Sequence, residues 1–217
     1  MAGQLLFLFW SAFVIGFSGA MAPGPVLTTT ISEVMKRGFK AGPLIVAGHA
    51  ILEILLLAAV VAGLGVWITR ETTMAVLGVG GGLLLVLMGG QMALTAGRTA
   101  DQALGAGGDP KTAVRGPMLA GIVTSISNPY WAIWWATIGL NFAAVAMKSG
   151  FVGLASFYTG HILSDLTWYS IVAAAVASGR RICPRGVYVG LFVLCGFALV
   201  GLGAYFLASG AAWFVRM

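Results

Sequence analysis

Residues 41–68 read AGPLIVAGHAILEILLLAAVVAGLGVWI, an apolar run that carries one histidine, His49, and one carboxylate, Glu53. Crossing a bilayer core takes about 20 predominantly apolar residues in a helix, so this stretch reads as a membrane span with two polar side chains inside it. Comparable runs occupy 5–27, 73–94, 117–147, 151–177 and 187–208. Six spans predict an all-α integral membrane protein in which both ends of the chain face the same side.

Composition agrees. Of 217 residues, 59% are hydrophobic and 8% charged, against roughly 25% charged in soluble domains, and mean hydropathy is +0.98. Six spans consume about 120 residues and leave no room for a separate extramembrane domain, so a single membrane unit over 1–217 is expected. The formal charge of +6 does not form the stripe that nucleic acid requires. Lys36, Arg37, Lys40, Arg98, Lys111, Arg115, Arg180, Arg181 and Arg185 follow the odd-numbered spans, whereas Arg70, Lys148 and Arg216 fall on the other side. The positive-inside bias then puts the first group in the cytoplasm and both termini outside. Ala20-Met21-Ala22 imitates a signal-peptidase site; the preceding residues lack a basic side chain and Pro23 follows, so the segment is read as a retained helix. Cys183 and Cys195 have no redox or metal spacing.

Self-comparison divides the chain. Gly38-Phe39 recurs as Gly150-Phe151, and Gly48-His49-x-x-x-Glu53 as Gly160-His161-x-x-x-Asp165, each at an offset of 112. Two halves of three spans, 1–95 and 116–217, are joined by a Gly- and Asp-bearing linker over 96–115. Three spans per half is an odd number, so the second copy must lie upside down relative to the first, as an inverted repeat. The Lys36-Arg37 pair and its poorer counterpart Lys148-Ser149 fit opposite orientations.

Two features set candidate positions. Each half opens on a proline-interrupted helix, Ala22-Pro23-Gly24-Pro25 in the first span and Ser127-Asn128-Pro129 in the fourth. Proline removes an amide donor and clashes with the preceding turn, and irregular backbone at membrane depth is tolerated where it is buried or lines a cavity. The hydroxyls of Thr28-Thr29-Thr30-Ile31-Ser32 then read as caps for a new half-helix, whose positive end suits a carboxylate. Pro23, Gly24, Pro25, Thr28, Asn128 and Pro129 are therefore candidate substrate-binding positions. The second feature is the pair of His–acid motifs. A charge at mid-membrane costs about 2.5–3.5 kcal/mol or more, yet two of six acids, Glu53 and Asp165, lie there with the only two histidines one turn earlier. His49, Glu53, His161 and Asp165 are candidates for proton or cation coupling, against the plainer reading that each pair closes a hydrogen bond within its own helix. Trp131, Trp134, Trp135 and Tyr130 read as interface or core filling in preference to a substrate box, and Gly78-x-x-x-Gly82 and Gly186-x-x-x-Gly190 as close helix contacts or a homodimer seam. No nucleophile elbow, zinc-helix motif or phosphate loop is present, so neither catalysis nor a cofactor is expected.

With Pro23-Gly24-Pro25 ending the first span, Arg37-Gly38-x-x-Ala41-Gly42 opening the second and Asn128-Pro129 in the fourth, the chain resembles the LysE/RhtB family of amino-acid exporters over essentially its whole length. That resemblance implies an inner-membrane efflux protein for amino acids or related small metabolites, driven by proton exchange, with the broken-helix residues forming the site. The alternative reading of the same four polar side chains is divalent-metal efflux, since two imidazoles and two carboxylates ligate zinc, manganese or nickel. A membrane assembly or redox subunit is the third.

Overall fold

The computed structural model describes residues 2–22, 24–64, 71–103, 116–179 and 184–215. Among them there is no strand. The helices are α1 (Ala2–Ala20), α2 (Pro25–Arg37), α3 (Ala41–Ala59, continued by one wider turn, Val60–Leu64), α4 (Glu71–Leu94), α5 (Ala96–Ala103), α6 (Pro117–Ile126), α7 (Pro129–Met147), α8 (Gly150–Gly179) and α9 (Arg185–Val215). Six of them, α1, α3, α4, α7, α8 and α9, are long and apolar enough to cross a membrane.

The apolar run 5–27 does not form one helix. α1 stops at Ala20, and a separate, amphipathic α2 begins at Pro25. Its Glu33 is 5% exposed and pairs with Arg37 at 2.8 Å and Lys36 at 3.6 Å. Pro23 lies outside the described residues. The stretch read as a linker begins with a helix: Ala96 and Ala100, one turn apart on α5, are buried in one cluster with Tyr188, Phe192 and Cys195 of α9. Asp101 of α5 also receives two hydrogen bonds from Arg185, at 2.5 and 2.8 Å, and these hold the Asp101 carboxyl below its ordinary range. Residues 104–115 lie outside the described residues.

Each helix of the first half packs chiefly on one of the second: α1 on α8, α3 on α6, and α4 on α9. Glycine makes these approaches possible. A Cβ on Gly48 would land on the carbonyl oxygen of Met118, and one on Gly160 on that of Phe9. The glycine of each Gly-His motif is therefore the point where α3 meets α6 and α8 meets α1. Gly38 and Gly150, the other repeated pair, share a positive φ, 82° and 68°; Gly38 lies in the turn before α3 and Gly150 is the first residue of α8. Gly78, Gly82 and Gly89 face Gly210, Gly203 and Gly196 along the α4–α9 contact, whereas Gly186 and Gly190 meet open space. The first glycine pair is thus packing within the chain and the second faces outward.

Replacing Gly160 with alanine is expected to destabilise the protein by about 1–3 kcal/mol, because the backbone it faces cannot yield as a side chain would. Gly190→Ala should cost nothing. Unfolding of the two variants in detergent, followed by circular dichroism, measures the difference.

Candidate functional site

The glycine contacts turn the residue after each glycine inward. His49 and Glu53, one turn apart on α3, meet His161 and Asp165, one turn apart on α8. Glu53, His161 and Asp165 are 1%, 3% and 3% exposed; the His49 side chain is 13% exposed. One ligand atom from each of the four lies within 4.8 Å of every other.

The motifs do not close on themselves as two separate intrahelical pairs. His49 Nε2 stands 3.0 Å from Glu53 Oε1 and 3.5 Å from Asp165 Oδ2. His161 Nε2 stands 3.1 Å from Glu53 Oε2, on the other helix, and 3.7 Å from Asp165 Oδ2, on its own. Its better-directed hydrogen bond runs to Glu53 Oε1 at 3.2 Å; the contact with Oε2 is close but poorly aligned. Glu53 Oε2, Asp165 Oδ2 and His161 Nδ1 are buried without a hydrogen bond among the described residues.

A set of supporting groups surrounds these four. His49 Nδ1 lies 2.7 Å from the Ser125 hydroxyl of α6, which leaves Nε2 facing the acids. The indole N–H groups of Trp131 and Trp135 both donate to Glu53 Oε1, at 3.1 and 2.7 Å. Trp134 stacks on the His161 ring at 4.6 Å between centroids and donates to Ser18 Oγ of α1 at 3.1 Å. Two of the three tryptophans read from sequence as filling, Trp131 and Trp135, are thus hydrogen-bond donors to the buried acid. The available signal was the four-residue spacing of Trp131 and Trp135, which puts two indoles on one helix face, together with the need of a buried indole N–H for an acceptor. Trp135 also opens a wider helical turn, Trp135–Gly139, a local irregularity common at functional sites.

Of the candidate broken-helix residues, Asn128 lines one cavity and Pro25 and Thr28 another. The smaller, about 40 Å³, touches all four His and acid side chains and is bounded by Val26, Asn128, Trp131 and Trp134. The larger, about 220 Å³, lies between α2, α4 and α9 and is lined by Pro25, Thr28, Gln91, Thr95 and Thr99 among others. Gly24 stands near Asn128 and Leu199, a residue that lines the larger cavity. Pro129 opens α7, and the Asn128 side chain caps it by accepting from the Tyr130 amide at 3.1 Å. At α2 no side chain caps the helix start. The hydroxyls expected to do so turn backward instead: Thr28 bonds the Pro25 carbonyl at 2.9 Å and Thr30 the Val26 carbonyl at 2.8 Å. Both lie past the first residue of the helix, where a threonine reaches a preceding carbonyl more readily than a preceding amide.

Because Trp135 and Glu53 bond directly, Trp135→Phe should lower stability by about 1–3 kcal/mol, the cost of depriving a buried acceptor. Combined with Glu53→Gln, the loss should fall clearly short of additive. A double-mutant cycle of chemical unfolding in detergent measures the coupling.

Comparison with known proteins follows this geometry. The model of the family described as LysE type translocator matches residues 17–210, which include His49, Glu53, His161, Asp165 and both helix starts. The chain is 26% identical over 201 residues to the chemotactic transduction protein ChpE of Pseudomonas aeruginosa, covering 91% of this chain and 96% of that protein. No solved structure matches significantly. The chain is a multi-pass membrane protein and belongs to the LysE type translocator family.

Proposed function

We propose that this protein is a secondary active exporter that moves amino acids or related small metabolites out across a bacterial inner membrane in exchange for protons. The observation that carries the reading is the meeting of two carboxylates and two imidazoles from α3 and α8 inside the apolar bundle. Ionisable groups at that depth are a functional-site hypothesis by default. A carboxylate that binds either a proton or a substrate ammonium, but not both, makes the two cargoes mutually exclusive, which is the requirement of antiport.

The two cavities suit different tasks. About 40 Å³ beside the quartet holds a few waters, since one water needs roughly 10–15 Å³, and it does not hold an amino acid in this conformation. The 220 Å³ cavity is the better place for a substrate arriving from the cytoplasm, with the uncapped start of α2 offering partial positive charge to its carboxylate. Val26 borders the smaller cavity, and Pro25 and Thr28 the larger, so a tilt of α2 would join them. Pro25, Thr28 and Asn128 are proposed as substrate-contacting residues on these grounds, and Pro23, Gly24 and Pro129 on the sequence argument of an interrupted helix alone.

Several observations favour an inverted repeat as the frame for that motion. The repeated glycines share a positive φ, and the Gly-His glycines make equivalent contacts, α3 on α6 and α8 on α1. Both helix interruptions precede a proline start. The bias of basic residues supports cytoplasmic loops after the odd-numbered spans and both ends outside. The outward Gly186 and Gly190 leave α9 free to meet a second copy.

Everted vesicles energised by a proton gradient, screened against amino acids and analogues, test the reading. Glu53→Gln and Asp165→Asn are each expected to lower gradient-driven transport at least tenfold while leaving the protein in the membrane. Undiminished transport in both variants would overturn the assigned role of the acids.

A further inference from the structure

Proton count sets the problem. Each Nε2 carries at most one hydrogen, aimed in one direction, yet each faces two carboxylate oxygens: 3.0 and 3.5 Å for His49, 3.1 and 3.7 Å for His161. Two donors cannot serve four contacts, and Glu53 Oε2 and Asp165 Oδ2 are left buried without a hydrogen bond. Uncompensated burial of that kind costs several kcal/mol per charged group in apolar surroundings.

Metal–ligand bonds of about 2.0–2.1 Å, as for zinc with imidazole nitrogen and carboxylate oxygen, give tetrahedral ligand–ligand edges of about 3.3–3.4 Å. With Glu53 Oε1 as its ligand atom, the nitrogen–oxygen separations are 3.0 and 3.5 Å from His49 and 3.2 and 3.7 Å from His161, and they straddle that value. One ligand atom from each of the four side chains lies within 4.8 Å of the others, so a contraction of the set by side-chain rotation closes it around one ion.

The surroundings complete the picture. Metal-ligating histidines characteristically have their second ring nitrogen hydrogen-bonded, and ligating carboxylates have their other oxygen held. His49 has Ser125 at its Nδ1, whereas His161 Nδ1 is buried without a hydrogen bond among the described residues. Glu53 Oε1 is held by Trp131 and Trp135, and its Oε2, with no hydrogen bond of its own, is the second oxygen available to an ion.

We propose that His49, Glu53, His161 and Asp165 form a four-coordinate site for one divalent transition-metal ion of the zinc class. The donor set selects against magnesium and calcium, which prefer all-oxygen shells of six or more ligands, and suits zinc and its neighbours. Two ligands come from α3 and two from α8, so the ion ties the two halves together. The inference rests on the side chains of the export reading: an ion held there occupies the carboxylate oxygens that would take a proton or an ammonium, so bound zinc blocks export whichever solute is carried.

The test is titration of the chelator-stripped full chain in detergent with zinc chloride, by calorimetry, with magnesium chloride in parallel. One zinc per chain and no saturable magnesium binding are expected, with X-ray absorption showing four nitrogen and oxygen neighbours at about 2.0–2.1 Å. His161→Gln and Asp165→Asn should each weaken binding at least tenfold. Ser125→Ala, which removes no ligand, should weaken it by about 10–100-fold and keeps the conclusion independent of whether a ligand variant folds. No saturable zinc binding, or equal affinity in all three variants, overturns the site. Solute export assayed with chelator present reads the export function alone: if it persists while zinc fails to bind, the metal site falls and the exporter stands.

Discussion

The structure depends on how two buried carboxylates are accommodated between α3 and α8. Isolated charges cannot stay in an apolar interior, and removing one partner of a buried pair costs several kcal/mol. Much of the surrounding architecture answers that constraint. Gly48 and Gly160 let α3 and α8 lie close against α6 and α1, Ser125 holds one imidazole, and two indoles hold one oxygen of Glu53. The groups come from α3, α6, α7 and α8, and the Trp134 hydrogen bond to Ser18 extends the set to α1. A polar centre assembled from both halves is sensitive to any movement of one half against the other, which is what a transporter site requires.

Hydrogen bonding around the four groups is uneven. Glu53 Oε1 accepts from two indoles and an imidazole, while Glu53 Oε2 and Asp165 Oδ2 accept none among the described residues. Glu53 is the better anchored acid, and Asp165, at 3.5 and 3.7 Å from the imidazoles, is the freer. The two helix interruptions are uneven as well, one capped by Asn128 and one without a side-chain cap. One acid and one helix start are thus more available to a ligand than their counterparts.

The sequence made the six spans legible because apolar length alone decides membrane crossing, and it made the His–acid positions legible because a polar side chain stands out in a chain with 8% charge. Hydropathy alone does not register where α1 ends, since residues 21–27 stay mostly apolar; the Pro23-Gly24-Pro25 motif is what pointed to an interruption there. The sequence concealed α5: Thr95 to Asp101 has the composition of a loop, and only the burial of Ala96 and Ala100 against α9 makes it helical. The crossing of the two His–acid pairs depends on how α3 and α8 rotate against each other, which no local pattern encodes. Trp131 and Trp135 were misjudged for a related reason, because the direction of an indole N–H follows from the tertiary position of α7.

Movement of protons against solute is the central claim. Purified protein in liposomes containing a pH-sensitive dye, challenged with a candidate amino acid under an outward or inward gradient, reports it directly. The account predicts a substrate-dependent proton flux opposite in direction to the solute, abolished in Glu53→Gln. Solute movement with no accompanying proton flux in the native chain would contradict it.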